Sequence, residues 1–484
     1  MTHYAAAIGG DVRIGAAMSP LGTDDRPLRV AIIGAGPTGF YTADHLLKQK
    51  DRVVEVDLFD RVPTPHGLVR AGVAPDHQKI KSVTTAFDKV AAHPRFRFFG
   101  GVEFGRDLTA ADLRRHYHQI VYTTGAQTDR RMGIPGEDLK GSHPATEFVA
   151  WYNGHPDYRD LRFDLSHERA AVVGVGNVAV DVARILCRSA DELAETDIAD
   201  YALEALRKSH IKEVYLLGRR GPAQAAFTNP EIRELGELAD ADVRVVPDEV
   251  ELDPLSRAAL EANPDRATAK KVEILQGYAL RKPSGKSKHL IIRFLVSPVE
   301  LIGNEDGEVT AIKLVKNRLE AGASGALSPK PTGVFEELPV GPVFRSVGYK
   351  GVPLPDVPFH ESGGVILNDK GRVLHPDTKQ PVVGEYTAGW IKRGPTGVIG
   401  TNKPDALETV ECMMEDLAAG RHLDPAEPDA QACERLIRER QPKHFTYPDW
   451  LKLNEIEVGL GRSKGRPRVK FTRVEDMHSA LGRS

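Results

Sequence analysis

Cysteine is scarce in this chain. Only Cys187, Cys412 and Cys433 occur among its 484 residues, and they lie far apart in the sequence. This spacing provides no Cys-x-x-Cys redox pair and no cysteine-rich run of the kind that binds a metal ion or an iron–sulfur cluster. We therefore expect three buried thiols, no metal site and no disulfide exchange within the chain.

Long apolar runs and a large net charge are also missing. No run approaches the roughly 18 apolar residues of a transmembrane helix, and the formal net charge of −3 gives no global attraction to nucleic acid or to an anionic membrane. Residues 1–27 lack the apolar centre of a signal peptide, and their acidic residues do not suit a transit peptide. We expect a flexible N-terminal arm over residues 1–27 and a cytoplasmic protein.

The first positive feature is a glycine turn between a strand and a helix. The apolar run Val30–Ile33 breaks into Gly34-Ala-Gly36-Pro37-Thr-Gly39, and a helical pattern follows. In such a unit the first glycine permits a tight turn, the second lets the backbone approach a pyrophosphate, and the third lets the helix pack on the strand. The next strand ends in Asp60, about 20 residues after the turn, which suits a ribose hydroxyl. The pattern predicts a dinucleotide site, with a purely structural turn as the alternative.

The same pattern recurs at residues 169–184. A strand leads into Gly174-Val175-Gly176-Asn177-Val178-Ala179, in which alanine takes the place of the third glycine. The next strand ends in Gly218-Arg219-Arg220 instead of an acid. Because guanidinium groups suit a ribose 2′-phosphate, the second site is interpreted as an NADP site and the first as an FAD site. A solvated arginine pair is the alternative.

Alternating strands and helices over the remaining chain predict an α/β fold. We expect a strand over residues 119–127 that ends in a turn at Gly125, a helical stretch over 187–208, and short strands between 243 and 315. A strand at 385–389 then leads through a Gly/Pro-rich turn into a long helix. The amides around Gly397–Thr401 are expected to face the first cofactor.

The loop over residues 61–83 follows the second strand, and in such folds this edge of the sheet binds ligands. It carries Gly67, Leu68 and His77. His77 could orient a ring or relay a proton, and an ordinary surface histidine is the alternative.

Basic residues are frequent between 254 and 293, including Lys270, Lys271 and Arg281. A solvated face is the default interpretation, and a docking patch for an acidic electron carrier is the alternative. The last 60 or so residues, which are polar with isolated aromatics, are expected to form a packing appendage without chemistry.

Taken together and in order, these motifs closely resemble the adrenodoxin-reductase-type ferredoxin–NADP⁺ reductases, above all their mycobacterial members. The resemblance runs from about residue 28 to about residue 468. Its marks are GAGPTGFYTADHLL, PTPHGLVRAGVAPDH, VGVGNVAVDVARIL, LLGRRGPAQAAFT, RSVGYKG and GWIKRGPTGVIGTNK.

The resemblance implies two nested Rossmann-like domains of the glutathione-reductase type, with the NADP domain (129–344) inserted into the FAD domain (28–128 and 345–484). The residues that it implies for FAD are Gly34, Gly36, Pro37, Gly39, Asp60, Gly67, Leu68, Gly125, Gly389, Trp390, Gly397, Val398 and Ile399. Those that it implies for NADP are Gly174, Gly176, Asn177, Val178, Arg219, Arg220, Glu231 and Gly397.

The resemblance also places His77 beside Glu234 where flavin and nicotinamide meet, as modulators of orientation and protonation. Two positions depart from the family pattern. His66 stands where relatives usually carry Trp or Phe beside the flavin, and Val175 stands where they usually carry Asn or Gln. We expect the first to affect flavin packing and the second to remove a polar contact near the nicotinamide.

The implied reaction is hydride transfer from NADPH to FAD, followed by single-electron transfer to a ferredoxin-type iron–sulfur protein, with a cytochrome P450 as one downstream endpoint. A disulfide reductase and a glutamate-synthase-type subunit would both need cysteines that this chain lacks. An FAD/NADPH-dependent monooxygenase, a general diaphorase and a non-enzymatic nucleotide-binding protein are the remaining alternatives. We expect a monomer.

Overall fold

The computed structural model describes residues 19–323 and 325–483. Of the expected N-terminal arm, residues 1–18 lie outside the described residues. Residues 19–27 contain a turn in which Gly22 N donates to Arg26 O at 2.8 Å, and Gly22 O accepts from Val53 N at 2.8 Å. This part of the arm is therefore bound to the body of the protein.

The first segment of the chain alternates strands and helices. Its elements are β1 (Leu28–Ile33), α1 (Pro37–Leu47), β2 (Val54–Asp60), α2 (Leu68–Ala71), α3 (Gln78–Lys81), α4 (Thr84–Ala91), β3 (Phe96–Gly100), α5 (Ala110–His116), β4 (Gln119–Tyr122) and β5 (Thr128–Asp129).

The second segment contains a further α/β unit and a long antiparallel hairpin. Its elements are β6 (Ser142–Pro144), α6 (Ala145–Tyr152), β7 (Arg169–Val173), α7 (Asn177–Cys187), α8 (Ala190–Ala194), α9 (Asp200–Arg207), β8 (Glu213–Leu217), α10 (Asn229–Leu235), β9 (Ala241–Val245), α11 (Pro247–Val250), α12 (Pro254–Ala262), α13 (Arg266–Ala279), β10 (Lys288–Arg293), β11 (Val296–Gly303), β12 (Val309–Ala321), β13 (Leu327–Pro339) and β14 (Val343–Arg345).

The third segment returns to the first unit and ends in helices. Its elements are β15 (Tyr349–Lys350), β16 (Phe359–His360), β17 (Val365–Ile366), β18 (Asn368–Asp369), β19 (Arg372–Leu374), β20 (Pro381–Thr387), α14 (Trp390–Arg393), α15 (Asn402–Ala418), α16 (Ala430–Arg440), α17 (Tyr447–Ser463) and α18 (Val474–Ala480). No helix among the described residues is both long and apolar enough to cross a membrane.

Two sheets organise these elements. The seven-stranded sheet has the order β18-β19-β20-β4-β1-β2-β3, and the six-stranded sheet has the order β6-β14-β7-β8-β10-β9. All neighbouring strands of the second sheet, and those from β20 to β3 in the first, pair in parallel. The second sheet lies in sequence between β4 and β20, which confirms the predicted nesting of two α/β units.

Alternating side chains of each sheet enter cores on opposite faces. In β1, Val30 and Ile32 pack toward α1 and α15, whereas Ala31 and Ile33 pack toward α5 and α16. In the six-stranded sheet, helices cover one face, and the antiparallel sheet β11-β12-β13 covers the other. Parallel sheets buried on both faces bring the carboxyl ends of their strands to one edge, where ligands bind.

Several sequence-based boundaries are wrong. The strand expected over 119–127 ends at Tyr122, and residues 128–129 form β5, which pairs with β15. The helical stretch expected over 187–208 is two helices: α8, which starts at a capping box between Ser189 and Glu192, and α9, which starts at Asp200. Part of the region expected as short strands is helical: Asp253 and Asp265 cap α12 and α13.

Candidate dinucleotide sites and their junction

The first glycine turn joins β1 to α1. Gly34 has φ +114°, and a Cβ atom built there would lie 2.7 Å from Thr123 O. A Cβ at Gly39 would lie 2.1 Å from Gly34 O, so the approach of α1 to the turn requires glycine there too. At Gly36, by contrast, a Cβ would meet no heavy atom within 4 Å. The fold itself therefore requires two of the glycines, while the middle one faces open space that a phosphate group can enter.

The second glycine turn, between β7 and α7, repeats this arrangement. Gly174 has φ +129°, and a Cβ there would lie 2.2 Å from Ser346 O. Gly176 again faces open space, with no heavy atom within 4 Å of a built Cβ. Ala179, at the third position, is fully buried against the sheet. Both α1 and α7 are 11 residues long and start without a side-chain cap, so their first amides are free to bind an anion.

Different side chains follow the two turns. At the end of β2, Asp60 accepts hydrogen bonds from Ala35 N at 2.7 Å and Val62 N at 2.9 Å, one on each carboxylate oxygen. Burial raises the pKa of Asp60, and these two amides oppose the shift. The carboxylate thus fixes the glycine turn, and each oxygen keeps acceptor capacity for another donor such as a hydroxyl.

The end of β8 carries two positive charges instead. Arg219 is exposed and Arg220 is half-buried, and no carboxylate of the described chain pairs with either guanidinium. Burial, followed by the charge of Arg219, lowers the pKa of Arg220. Their backbone is fixed by Asn317 Nδ2, which donates to Arg219 O at 2.9 Å. Two adjacent unpaired guanidinium groups form a ready anion site.

The other predicted FAD residues lie on loops around the first turn. A Cβ at Gly67 would lie 2.8 Å from Gly36 Cα, and a Cβ at Gly389 would lie 2.3 Å from Thr38 Oγ1, so both backbones pack on the turn. Gly125 faces open space, and Leu68 is 46 % exposed.

The Gly/Pro-rich turn before α15 carries the remaining predicted FAD residues. The Trp390 ring stacks on Tyr349 at 6.3 Å, and its Nε1 donates to Thr396 O at 3.1 Å. Gly397 and Val398 are exposed, and residues 399–401 form a short 3₁₀ turn that leads into α15.

In the second site, Asn177 and Val178 form the first turn of α7. Asn177 Oδ1 accepts a hydrogen bond from Thr228 N at 2.9 Å, which ties the helix start to the loop before α10. The Asn177 side chain therefore shapes the site, and the amides of this turn are the groups left to meet a ligand.

His77 and Glu234 bring the two units together. His77 follows β2 in the first unit, Glu234 lies on α10 in the second, and His77 Nε2 lies 2.8 Å from Glu234 Oε2. Glu231 Oε2 is 3.9 Å from the same nitrogen, and Asp181 Oδ1 is 3.9 Å from Nδ1. Burial and then Asp181 raise the pKa of Glu231. A polar cluster thus lies at the junction of the two units.

Arg184 lies at the centre of this cluster, and the sequence analysis missed it. Its side chain is fully buried, and its guanidinium donates to Asp76 Oδ2 at 2.7 Å and to Asp181 Oδ1 at 2.7 Å. Burial disfavours ionisation of Asp76, but Arg184 outweighs it and holds the pKa of Asp76 at about 2. The available signal was the pair Asp181 and Arg184, three residues apart in the otherwise apolar helix NVAVDVARILC.

One side-chain atom from each of His77, Glu231 and Glu234 lies within 4.8 Å of the others, a spacing that could hold a metal ion. The Arg184 guanidinium is 3.4 Å from Glu231 and 3.8 Å from Glu234. Because this cation already compensates the carboxylates, the arrangement needs no metal to explain it.

Comparison with known proteins assigns the family. The "Pyridine nucleotide-disulphide oxidoreductase" family matches residues 28–245. NADPH-ferredoxin reductase FprA of Mycobacterium leprae is 45 % identical over 453 residues, which cover 93 % of this chain and 97 % of the relative. The chain belongs to the adrenodoxin-reductase-type ferredoxin–NADP⁺ reductase family.

Other members of this reductase family agree. The mitochondrial NADPH:adrenodoxin oxidoreductase of Arabidopsis thaliana is 40 % identical, over 94 % of this chain and 95 % of the relative. The structure of Mycobacterium tuberculosis FprA in complex with NADPH superimposes with a TM-score of 0.89 at 44 % identity, covering 94 % of this chain and all of that one. These values confirm the predicted resemblance.

The structure defines the surroundings of His66, the first position expected to depart from the family pattern. Its ring is 3 % exposed and packs between Phe40, Phe87, Tyr447 and Trp450, with centroid distances of 5.3 to 6.5 Å. Burial, aided by two nearby arginines, lowers the pKa of His66 to about 3. Since Tyr447 and Trp450 belong to α17, the C-terminal helices support the loop beside the first glycine turn.

Val175, the second position expected to depart from the reductase pattern, has no polar side-chain group. Its carbonyl oxygen accepts hydrogen bonds from Ala226 N at 2.9 Å and Phe227 N at 3.0 Å. The backbone of the second glycine turn is thus bound to the loop before α10, and the valine side chain packs against the second core.

The basic residues of α13 and its end are partly engaged inside the protein. Lys270 Nζ pairs with Glu273 at 2.6 Å. Lys271 Nζ donates to Ala225 O at 2.5 Å, and burial lowers the pKa of Lys271. Arg281 lies over the Tyr278 ring at 4.4 Å. Lys271 therefore supports the loop at 222–228 as well as contributing surface charge.

Proposed function

We propose that this protein is an NADPH–ferredoxin reductase. It would accept hydride equivalents from NADPH on an FAD and pass single electrons to a ferredoxin-type iron–sulfur protein. The observation that carries the proposal is the pair of open glycine turns, one followed by an acid and the other by two arginines that pair with no carboxylate among the described residues. The named activities of the relatives support it.

The first turn is proposed to bind FAD and the second NADP. FAD would contact Gly34, Gly36, Pro37, Gly39, Asp60, Gly67, Leu68, Gly125, Gly389, Trp390, Gly397, Val398 and Ile399. NADP would contact Gly174, Gly176, Asn177, Val178, Arg219, Arg220, Glu231 and Gly397. The open space at Gly36, Gly125 and Gly176 supports these contacts, because a phosphate or ring can approach the backbone there.

The corresponding domains are proposed to span residues 28–128 with 345–484 for FAD, and 129–344 for NADP. The pairing of β5 with β15 supports these limits, because the chain leaves the first unit and re-enters it along these two strands.

When bound, the flavin and nicotinamide supply the hydride and electron chemistry. The role proposed for the chain is to position them. The hydrogen bond between His77 Nε2 and Glu234 Oε2 crosses the junction and fixes the orientation of the imidazole ring. We propose that His77 and Glu234 modulate orientation and protonation where the two nucleotides meet.

The burial of the three thiols supports the proposal that single electrons pass to a protein partner. Cys187, Cys412 and Cys433 are all buried and free. Burial raises the pKa of Cys187 and of Cys433 to about 12. Such thiols are inert at neutral pH, so they offer no relay to a disulfide substrate.

Lys270, Lys271 and Arg281 are proposed to contribute to the docking surface for the acidic electron carrier. Lys271 also supports the loop at 222–228. Lys270→Glu combined with Arg281→Glu therefore tests the docking surface without removing that contact. The pair should raise the KM for ferredoxin and leave reduction of a small dye unchanged, since rim charges mainly affect association. An unchanged ferredoxin KM would remove these residues from the docking surface.

We further propose that the protein is a cytoplasmic monomer.

The function is tested by NADPH-driven reduction of cytochrome c, with and without each ferredoxin from the same cell. Reduction that depends on ferredoxin is expected. A rate that is the same without any ferredoxin would indicate a general diaphorase. Consumption of oxygen coupled to an added organic substrate would indicate a monooxygenase, and a purified protein without bound flavin would overturn the proposal.

A further inference from the structure

A buried segment near the C-terminus joins the two units. We define residues 466–470 as the C-terminal strap. The side chain of Lys470 is 1 % exposed, and its Nζ donates to Arg70 O at 3.2 Å and to Asn153 O at 3.1 Å. Arg70 belongs to the first unit, whereas Asn153 ends α6 in the inserted segment. One ammonium group therefore holds the backbone of both.

The strap also reaches Asp197, a buried acid between α8 and α9. Lys470 Nζ lies 3.4 Å from Asp197 Oδ2, and Lys81 Nζ from the first unit lies 2.6 Å from Oδ1 and 2.9 Å from Oδ2. Burial disfavours the charge of all three groups, but the two lysines outweigh it at Asp197 and hold the pKa of this carboxyl at about 2. Asp197 is thus an ionised acid held between lysines from two parts of the chain.

Both ends of the strap are anchored. Arg466 donates to Thr196 O at 2.8 Å and to Ile198 O, which fixes the backbone on both sides of Asp197. At the other end, Val469 N donates to Glu457 O at 2.9 Å, and the fully buried Glu457 carboxylate accepts hydrogen bonds from Arg70 at 2.5 and 2.8 Å. The strap is therefore held against the inserted unit by Arg466 and is continuous with α17, which carries Glu457 on the first unit.

The Lys81 end of this network is coupled to His77. His77 is the residue before α3, and its carbonyl oxygen accepts from Ile80 N at 3.1 Å and Lys81 N at 3.4 Å. Fixing Lys81 on Asp197 therefore fixes the short turn that carries His77. Asp197 belongs to the same unit as Glu234, so the network and the His77–Glu234 contact are two parallel links between the units.

We propose that Lys81, Asp197 and Lys470 are positioning residues for hydride transfer, which act by fixing the relative placement of the two units and so the place of His77. This inference rests on the proposed function. A misplacement of about 1 Å between reacting groups can slow a reaction about a hundredfold. The C-terminal region, expected to be a packing appendage, would thereby contribute to catalysis from a distance.

The variants Asp197→Asn and Lys470→Met test the proposal, with Arg473→Met as the matched control. Arg473 also joins the C-terminal region to the inserted segment, through Asp160 at 2.9 Å, but both side chains are substantially exposed. Asp197→Asn and Lys470→Met should keep their FAD yet slow flavin reduction by saturating NADPH at least about tenfold in single-turnover measurements. Flavin reduction by dithionite should not change, and Arg473→Met should match the wild type throughout.

Two further measurements separate positioning from simple destabilisation. Amides of residues 77–81 and 229–235 should exchange hydrogen faster in Asp197→Asn than in the wild type. In a double-mutant cycle, Lys470→Met combined with His77→Gln should slow reduction by less than the product of the two single effects, because both act through His77.

The proposal is overturned if Asp197→Asn lowers the Tm but leaves the NADPH-driven rate unchanged, or if the cycle is strictly additive. If Lys470→Met does not fold, Asp197→Asn carries the test, since the amide keeps the shape of the carboxylate. A wild-type protein whose flavin NADPH does not reduce would refute the proposed function, while the exchange measurement would still decide whether the strap fixes the junction.

Discussion

The two open glycine turns allow nucleotide binding to be separated from folding by single substitutions. Gly36 and Gly176 have φ values of −79° and −101°, which any residue can adopt, and a Cβ at either meets no heavy atom within 4 Å. In Gly36→Ala and Gly176→Ala, the weaker helix cap costs about 0.5–1 kcal/mol, and the stiffer unfolded chain offsets a similar amount. The free energy of unfolding should therefore stay within about 1 kcal/mol of the wild-type value.

Gly34→Ala is the matched contrast. Its Cβ would lie 2.7 Å from Thr123 O at φ +114°, so steric overlap and backbone strain should together cost about 2 kcal/mol or more. The Tm of this variant should fall clearly, whereas the Tm of the other two should not.

Binding should respond in the opposite way. A methyl group at position 36 or 176 occupies space beside the first helical amides, and loss of a phosphate's close approach at a helix N-terminus costs about 1–2 kcal/mol. This corresponds to a dissociation constant about 5- to 30-fold larger. After dialysis, flavin absorbance should be low in Gly36→Ala and normal in Gly176→Ala. Titration with NADP⁺ should show weak binding in Gly176→Ala.

The two sites are therefore expected to fail independently. Equal loss of FAD in both variants, or full FAD retention in Gly36→Ala, would refute the assignment of the turns. A large drop in Tm for either variant would refute the inference that these positions face open space.

Two other substitutions have defined outcomes. Arg219→Gln with Arg220→Gln should weaken the use of NADPH at least about tenfold more than that of NADH, because a charge-assisted bidentate contact is lost only with the phosphate; equal losses in steady-state assays would contradict the phosphate site. His66→Phe should reduce the acid sensitivity of folding. With a folded pKa of about 3 against about 6.5 unfolded, the unfolded state binds the proton more tightly, so stability falls as pH drops below 6.5. The loss from His66 is about 2 kcal/mol at pH 5. Unfolding free energies of the two proteins should diverge by this amount between pH 7 and pH 5, and parallel curves would show that His66 is not the group responsible.

The sequence predicted the parts of the site that depend on local backbone geometry. The glycine turns at Gly34 and Gly174 are set by neighbouring residues, so a short motif was enough to place a strand before each and a helix after it. The arginine pair followed from the same unit, because it occupies a fixed position at the end of the next strand. These features need no knowledge of distant contacts.

Contacts between distant segments were beyond the sequence. Arg184 meets Asp76 across 108 positions, and Lys470 meets Asn153 across 317, so no periodicity relates them. The helix α13 was missed because its buried stripe consists of Val272, Leu275 and Tyr278 alone, and the preceding Lys270 and Lys271 indicated only surface. In each case the packing of a remote element decided the outcome.

We infer that the two electrons of NADPH leave this protein one at a time. The most direct test of this inference is an anaerobic titration, in which NADPH is added to a catalytic amount of the protein and an excess of ferredoxin while the ferredoxin spectrum is recorded. Each NADPH consumed should reduce two ferredoxin molecules. Oxidation of NADPH without reduction of ferredoxin would contradict this inference. Oxidation of NADPH that starts only when oxygen and an organic substrate are added would contradict it as well.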